Sequence, residues 1–288
     1  MSTHEWQAAG RYFSYREQHR IFYRQEGTGE PLLLLHGFPT ASWDWHLLWE
    51  SLAERYTLLA PDFIGFGFSD KPRRYDYRLT DQADLVEALL ADQGWGRAHL
   101  LVHDYGVSVA QELLARQAAG MAKVDILSVA FLNGGLFPEA HRPRPIQRAL
   151  LGPLGFLLTP FLNKRKLRKN FNEIFGPDTQ PSDAEIDGFY RLIDARKGQY
   201  IFHRLIRYME DRYEHGERWK QALIETTVPL CLLNGGADPV SGKHLANFFA
   251  DLVPAAKVVI WEDIGHYPQV EVPEQVLAAY FEFQRGLT

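Results

Sequence analysis

Ala98-His-Leu-Leu-Val-His-Asp-Tyr-Gly-Val-Ser108 is the stretch whose reading decides the fold. Leu100 to Val102 is wholly apolar and suits a buried strand. The tight turn Val102-His-Asp-Tyr-Gly106 follows, and Val107 to Arg116 carries a helical pattern. A strand ending in small-X-nucleophile-X-small that turns sharply into a helix pushes one reactive side chain above a sheet. The residue at that tip is Asp104, not a serine or cysteine. A rival register, Gly106 to Ala110, would make Ser108 the nucleophile. It would also extend the strand through Tyr105 and set the tip four residues late, so Ser108 is expected in the first turn of the helix.

Upstream, Arg11 to Tyr15 and Arg20 to Gln25 read as a hairpin, and Leu32 to Leu35 as a short strand buried on both faces. His36-Gly-Phe-Pro39 follows it, then an aromatic helical stretch from Ser42 to Arg55. Thr57 to Ala60 is the next strand, leading into the glycine-rich loop Asp62 to Ser69. Thr80 to Gln93 is expected to be helical, with Thr80 as N-cap and Asp81 and Asp84 in its first turn. Downstream, Asp125 to Leu132 supplies a strand, and the alternation then stops at Asn133-Gly-Gly135. Val228 to Leu233 resumes the sheet, Lys257 to Trp261 adds a strand, and Pro273 to Arg285 reads as a closing helix. Strand-helix alternation predicts an α/β fold with a mostly parallel central sheet flanked by helices. The core is assigned to residues 1–135 and 227–288, and residues 136–226 to an inserted helical cap.

A chain of 288 residues can hold one such domain with its insertion. A net charge of −5 argues against a general nucleic-acid binder. The lone Cys231 lies in an apolar run and is expected to be an inert core thiol of a reducing, cytoplasmic compartment. Met1 to Gly10 has no apolar signal segment, and no apolar run reaches membrane length. No metal or cofactor is expected.

A nucleophile at such a tip works with an acid and a histidine that follow it in chain order. Asp238 lies in Asn234-Gly-Gly-Ala-Asp-Pro239, a glycine turn directly after a strand. His266 lies in Glu262-Asp-Ile-Gly-His-Tyr-Pro268, after the last strand and before the last helix. Each alone could be an ordinary turn residue; three strand-end positions in the right order make Asp104, Asp238 and His266 the candidate catalytic set. His36 and His103 are expected to serve packing or loop hydrogen bonds.

With these residues the chain resembles the α/β-hydrolase superfamily, in its aspartate-nucleophile branch of epoxide hydrolases and haloalkane dehalogenases. His36-Gly-Phe-Pro39 looks like that branch's oxyanion loop, Asp62 to Ser69 like its glycine-rich loop, and Val102 to Gly106 like its elbow. Phe131 to Pro143, Phe175-Gly-Pro177 and His266-Tyr-Pro-Gln269 further resemble the mesoderm-specific transcript family, which extends the likeness into the cap. The resemblance implies an α/β-hydrolase fold and an alkyl-enzyme ester on Asp104. Water activated by His266 would hydrolyse it, with the backbone N–H groups of Phe38 and Tyr105 as oxyanion hole.

Dehalogenases of this branch usually hold the halide with an indole beside the nucleophile and a donor in the oxyanion loop; Tyr105 and Phe38 stand there instead. Epoxide hydrolases present cap tyrosines, for which the chain offers Tyr190, Tyr200, Tyr208 and Tyr213, while His203 occupies the place that would align with the family's donor tyrosine. Tyr208 is taken as the substrate-binding candidate. An epoxide-hydrolase-like activity on a small hydrophobic molecule is the leading expectation. A haloalkane dehalogenase, an ester or lactone hydrolase and a non-catalytic binding protein remain as alternatives. The basic run Asn163 to Asn170, beside the apolar segment Ala149 to Leu162, could touch an anionic membrane surface; a solvated helix face beside pocket-lining apolar residues is the expected role.

Overall fold

Leu32, Leu33, Leu34 and Leu35 are all fully buried, which only the centre of a sheet covered on both sides allows. Side chains alternate along a strand. Leu33 and Leu35 accordingly join Leu100, Val102, Val129, Phe131 and Leu232 in one core, and Leu32 and Leu34 join Leu101, Ala130, Leu132 and Leu233 in the other. The computed structural model describes residues 1–287. Thr288, the last residue of the 227–288 core assignment, lies outside the described residues.

Eight strands form the sheet: β1 (Arg11–Tyr15), β2 (His19–Glu26), β3 (Glu30–Leu35), β4 (Tyr56–Pro61), β5 (Arg97–Val102), β6 (Asp125–Leu132), β7 (Leu230–Gly235) and β8 (Lys257–Trp261). Their order is β1-β2-β4-β3-β5-β6-β7-β8. β1 and β2 pair antiparallel at one edge, and every pairing from β4 through β8 is parallel. The chain thus winds from β3 to β4 on one side and to β5 on the other. In such sheets ligands lie in the crevice beyond the carboxyl ends at the reversal point, here between the loops after β3 and β5.

The expected strands and the closing helix Pro273–Arg285 are all present. Cys231 is fully buried, and that burial pushes its thiol up to about 12, so it is un-ionised. Three local expectations are corrected. Ser42 to Arg55 is not one helix: it splits into a 3₁₀ turn, Ser42–Trp45, and a short helix, Trp49–Ala53. The helix after the glycine-rich loop runs from Leu79 to Asp92 with Arg78, not Thr80, at its N-cap position, and only Asp81 of the two aspartates is in the first turn. The Leu79 N–H is satisfied from a distance by the Asp211 carboxylate at 2.7 Å, so a local cap is unnecessary. Thr3–Ala8 is a helix where none was expected; Ser2 and Glu5 close a capping box over it, and Trp6 buries completely beside Trp49.

Between β6 and β7 the described residues form helices and turns with no strand. Helix Lys164–Asn172 is basic, Asp183–Asp194 packs on the N-terminal helix, and Tyr208–Glu225 lies along the elbow helix Tyr105–Ala118. Arg191 ties the second of these to the N-terminal helix, donating to Thr3 Oγ1 at 2.7 Å and Gln7 Oε1 at 2.9 Å.

At the elbow itself, a Cβ on Gly106 would lie 2.5 Å from the Leu35 carbonyl oxygen, a backbone atom in the centre of the sheet. Gly106→Ala is therefore expected to cost about 1–3 kcal/mol of stability, read as a lower urea midpoint; an unchanged midpoint would show that β3 can give way.

Candidate active site

Asp104 sits between β5 and its helix with φ +41° and ψ −96°, backbone that a side-chain-bearing residue adopts only under strain. The turn is held from three sides. The Asp104 N–H donates to the Asn133 carbonyl at 2.9 Å, and Gly106 N–H donates to the carbonyls of His36 and His103 at 3.0 and 2.8 Å. Arg212 Nη2 donates to the Asp104 carbonyl at 3.1 Å.

The carboxylate is buried, and its Oδ2 accepts the Phe38 backbone N–H at 3.0 Å. Tyr105 opens the helix, so its N–H is among those without an intrahelical partner. The Phe38 loop is braced by His36. Its Nε2 accepts the Phe63 N–H at 3.1 Å, so the proton rides on Nδ1, 2.8 Å from the Gly37 carbonyl. Burial pushes His36 down to about 4, keeping it neutral. His103 is likewise buried and pushed down to about 3, with Nε2 donating to the His266 carbonyl at 2.8 Å. Both histidines are thus structural braces, as their positions suggested.

Asp238 and His266 meet above the ends of β7 and β8: His266 Nδ1 donates to Asp238 Oδ2 at 2.7 Å. Asp238 Oδ2 also accepts Asn133 Nδ2 at 3.0 Å, Ser241 N–H at 3.1 Å and Ser241 Oγ at 2.6 Å, while Oδ1 accepts Val240 N–H at 2.8 Å. Burial opposes this charge, but His266 and the surrounding donors hold the carboxyl far below its usual range. For His266 burial would lower the pKa, and the Asp238 carboxylate, aided by Asp104, overrides it and raises it to about 9. Asp104 is also held below its ordinary value: burial works against ionisation, and Arg212, His266, His103 and the Phe38 N–H outweigh it.

Asp104, His266 and Phe38 line a cavity of about 120 Å³ whose other walls are mainly apolar, including Ile146, Leu150, Leu162, Phe171, Ile193 and Phe202. Gln147, Asn163, Asn170 and Tyr190 are its uncharged polar members. Tyr208, expected to touch substrate, is not among the lining residues. Its ring packs on Phe38 and Tyr105, and its hydroxyl accepts from Gln147 Nε2 at 3.3 Å. Tyr200 and Tyr213 are exposed, and His203 sits at the edge of Phe156 away from the cavity. The Tyr105 ring turns away too, packing at a tilt against Phe63 and Phe66. Ser108 is the fourth residue of the elbow helix, with its Oγ accepting from Arg212 Nε at 2.8 Å. Among the described residues no cluster of His, Cys, Asp and Glu could hold a metal ion.

Two participants were not anticipated. Asn133, noticed only as the point where the strand rhythm stops, bridges β6 to β7 and binds the Asp238 carboxylate; its Oδ1 accepts the Gly235 N–H at 2.6 Å. Arg212 comes from helix Tyr208–Glu225 and lies buried, 3.5 Å from Asp104 Oδ1, with its guanidinium 4.5 Å from the Tyr208 ring centroid. Gly135 makes room for it: a Cβ there would lie 2.3 Å from Arg212 Nη1. No local pattern marks such a residue, since it acts 108 positions away from Asp104.

The chain belongs to the alpha/beta hydrolase family, whose model matches residues 32–279. It is 39% identical over 294 residues to the mesoderm-specific transcript homolog protein of Homo sapiens, covering 98% of this chain and 88% of that protein. Among solved structures it is similar to a loop variant of the haloalkane dehalogenase DbeA from Bradyrhizobium elkanii, with a TM-score of 0.81 and 22% identity over 96% of this chain and 97% of that one. It is also similar to the epoxide hydrolase CorEH, with a TM-score of 0.74 and 21% identity over 97% and 99%. At these identities the two structures speak for the fold.

Because Asp238 is what overrides burial at His266, Asp238→Asn is expected to drop the imidazole pKa from about 9 to below its ordinary ~6.5. NMR titration of the His266 ring checks this, and a pKa still near 9 would show that Asp238 is not the cause.

Proposed function

We propose that this hydrolase opens an epoxide on a small hydrophobic molecule through a covalent ester on Asp104, which His266 and Asp238 then help water to cleave. The observation that carries the proposal is Asp104 at the strained tip, lining the cavity with one oxygen already on the Phe38 N–H. A carboxylate held ionised needs no base to attack carbon. As Oδ1 forms its bond to carbon, the ring C–O bond breaks and the ring oxygen takes up a proton, for which Tyr190, a tyrosine of the cavity wall, is the proposed donor.

Esterification removes the negative charge of Asp104, one of the influences that raise His266. The imidazolium then releases its proton, which balances the one taken up by the ring oxygen. Neutral His266 can now deprotonate water, and Asp238 supports the imidazolium that re-forms. Attack on Cγ puts the developing charge on Oδ2, opposite the Phe38 N–H and the helix-opening Tyr105 N–H. Collapse frees the diol and leaves a water oxygen in Asp104.

Two observations weigh against the alternatives. Among the described residues no indole lines the cavity, so halide release lacks its usual donor. An ester or lactone carbonyl would have to displace Asp104 Oδ2 from the Phe38 N–H that its own oxygen needs.

His266→Gln is expected to slow ester hydrolysis by about 10²–10⁴-fold with aryl epoxides. Intact-mass measurement should then show the adduct, and repeated turnover of the wild type in ¹⁸O-water should label Asp104; a turning-over enzyme with unlabelled Asp104 would exclude the ester. Asp104→Ala should be inactive.

Arg212 is proposed to position the tip and help keep Asp104 ionised. With its guanidinium removed, burial raises the Asp104 pKa, so in Arg212→Gln the acid limb of the single-turnover alkylation rate should move to higher pH. A lower rate with the acid limb in place would leave Arg212 a purely structural clamp.

A further inference from the structure

The helical segment between β6 and β7 exposes more apolar side chain than the cavity uses. Leu154, Phe156, Leu157 and Phe161 are 64%, 50%, 51% and 61% exposed, and Leu158 is 37% exposed. Five of the large exposed apolar side chains of this protein thus fall within eight consecutive positions, where scattered single ones are ordinary. None of the five lines the catalytic cavity; of the apolar run from Ala149 to Leu162, Leu150 and Leu162 do. The expected role of the run as pocket lining therefore covers only a minority of it.

Directly after this patch comes helix Lys164–Asn172, with five basic residues and no acidic one. Lys164 pairs with Asp187 and Arg168 with Asp183. Arg165, Lys166 and Lys169 are exposed and have no carboxylate partner among the described residues. Lys166 Nζ reaches over the Phe161 ring, 5.5 Å from its centroid, so charge and apolar surface are interleaved. A groove lined by Leu158, Phe161, Lys166 and Lys169 shares Arg144, Ile146, Leu162 and Asn170 with the catalytic cavity. Its one carboxylate, Glu173, is engaged by Arg144.

We infer that residues 154–169 dock the protein on an anionic lipid surface, with the groove leading from the bilayer interface to the cavity. Apolar side chains that enter the headgroup region, and cations beside them that stay with lipid phosphates and carboxylates, are the two contributions that set the strength of interfacial binding. The chain as a whole is acidic, at −5, so general positive charge does not produce this site. The occupant follows from the combination: a protein partner would explain the apolar patch, and the unpaired cations beside it call for a negatively charged surface. Substrates would then be molecules that partition into membranes, reaching Asp104 without crossing water. The inference is independent of the chemistry at Asp104.

Co-sedimentation of the full chain with vesicles of equimolar phosphatidylcholine and phosphatidylserine tests it, with phosphatidylcholine vesicles as control. Binding is expected to the anionic vesicles, to weaken with added salt, and to fall by about tenfold or more in Lys166→Glu/Lys169→Glu. Leu157→Asp/Phe161→Asp should lose it, and Asp104→Ala, lacking the proposed nucleophile, should bind like the wild type. Circular dichroism melting checks that each variant is folded. Absence of salt-sensitive binding would overturn the inference. So would self-association without vesicles that Leu157→Asp/Phe161→Asp abolishes, because a second copy would then cover the patch.

Discussion

Four charges share a space almost closed to water: the carboxylates of Asp104 and Asp238, the imidazole of His266 and the guanidinium of Arg212. Burial opposes the ionised form of both carboxylates and of the imidazole, and any of these three alone there would neutralise itself. They persist because they balance, two negative against two positive, with both oxygens of Asp238 also accepting from Asn133, Ser241 or Val240. The balance is also what makes the proposed reaction directional. Converting Asp104 to a neutral ester leaves one positive charge in excess, and His266 is the group that can shed it.

The sheet supplies the distances on which that balance depends. Asp104, Asp238 and His266 follow β5, β7 and β8, and the Phe38 loop follows β3, all at the same end of parallel strands. Continuous apolar strands sandwiched between two cores are stiff, and close packing passes little displacement to the loops above them. Gly106 fits against the Leu35 carbonyl with no room for a methyl group, which holds the nucleophile at the reversal point of the sheet.

What could be read in advance was what local chemistry encodes. Alternation and apolar runs placed β6 and β8 to the residue, and strand ends marked all three members of the proposed set. Even the unanticipated N-terminal helix carried a local signal, since Ser2-Thr-His-Glu5 is a capping box. Elsewhere a distant group overrode the local one, as when the Asp211 carboxylate took the role assigned to Thr80. Arg212 was illegible for the same reason: a basic residue on a helix reads as solvated, and only the approach of Tyr208–Glu225 to the elbow helix buries it. Which tyrosine faces the cavity depended on helix rotation, so Tyr208 and Tyr190 could not be ranked by spacing.

The N-terminal helix has a bearing on how the molecule assembles. Trp6 docks beside Trp49 and donates to Ser42 Oγ at 3.0 Å, and the Arg24 guanidinium lies over both indoles, 4.5 and 4.6 Å from their ring centroids. These partners all precede β4 in the chain. The clamp that Arg191 places on Thr3 and Gln7 is made 188 and 184 positions later. Helix Thr3–Ala8 therefore completes its polar contacts only when the segment between β6 and β7 is in place. It thereby fastens Asp183–Asp194, whose Tyr190 and Ile193 stand in the cavity wall, to the layer around Trp49.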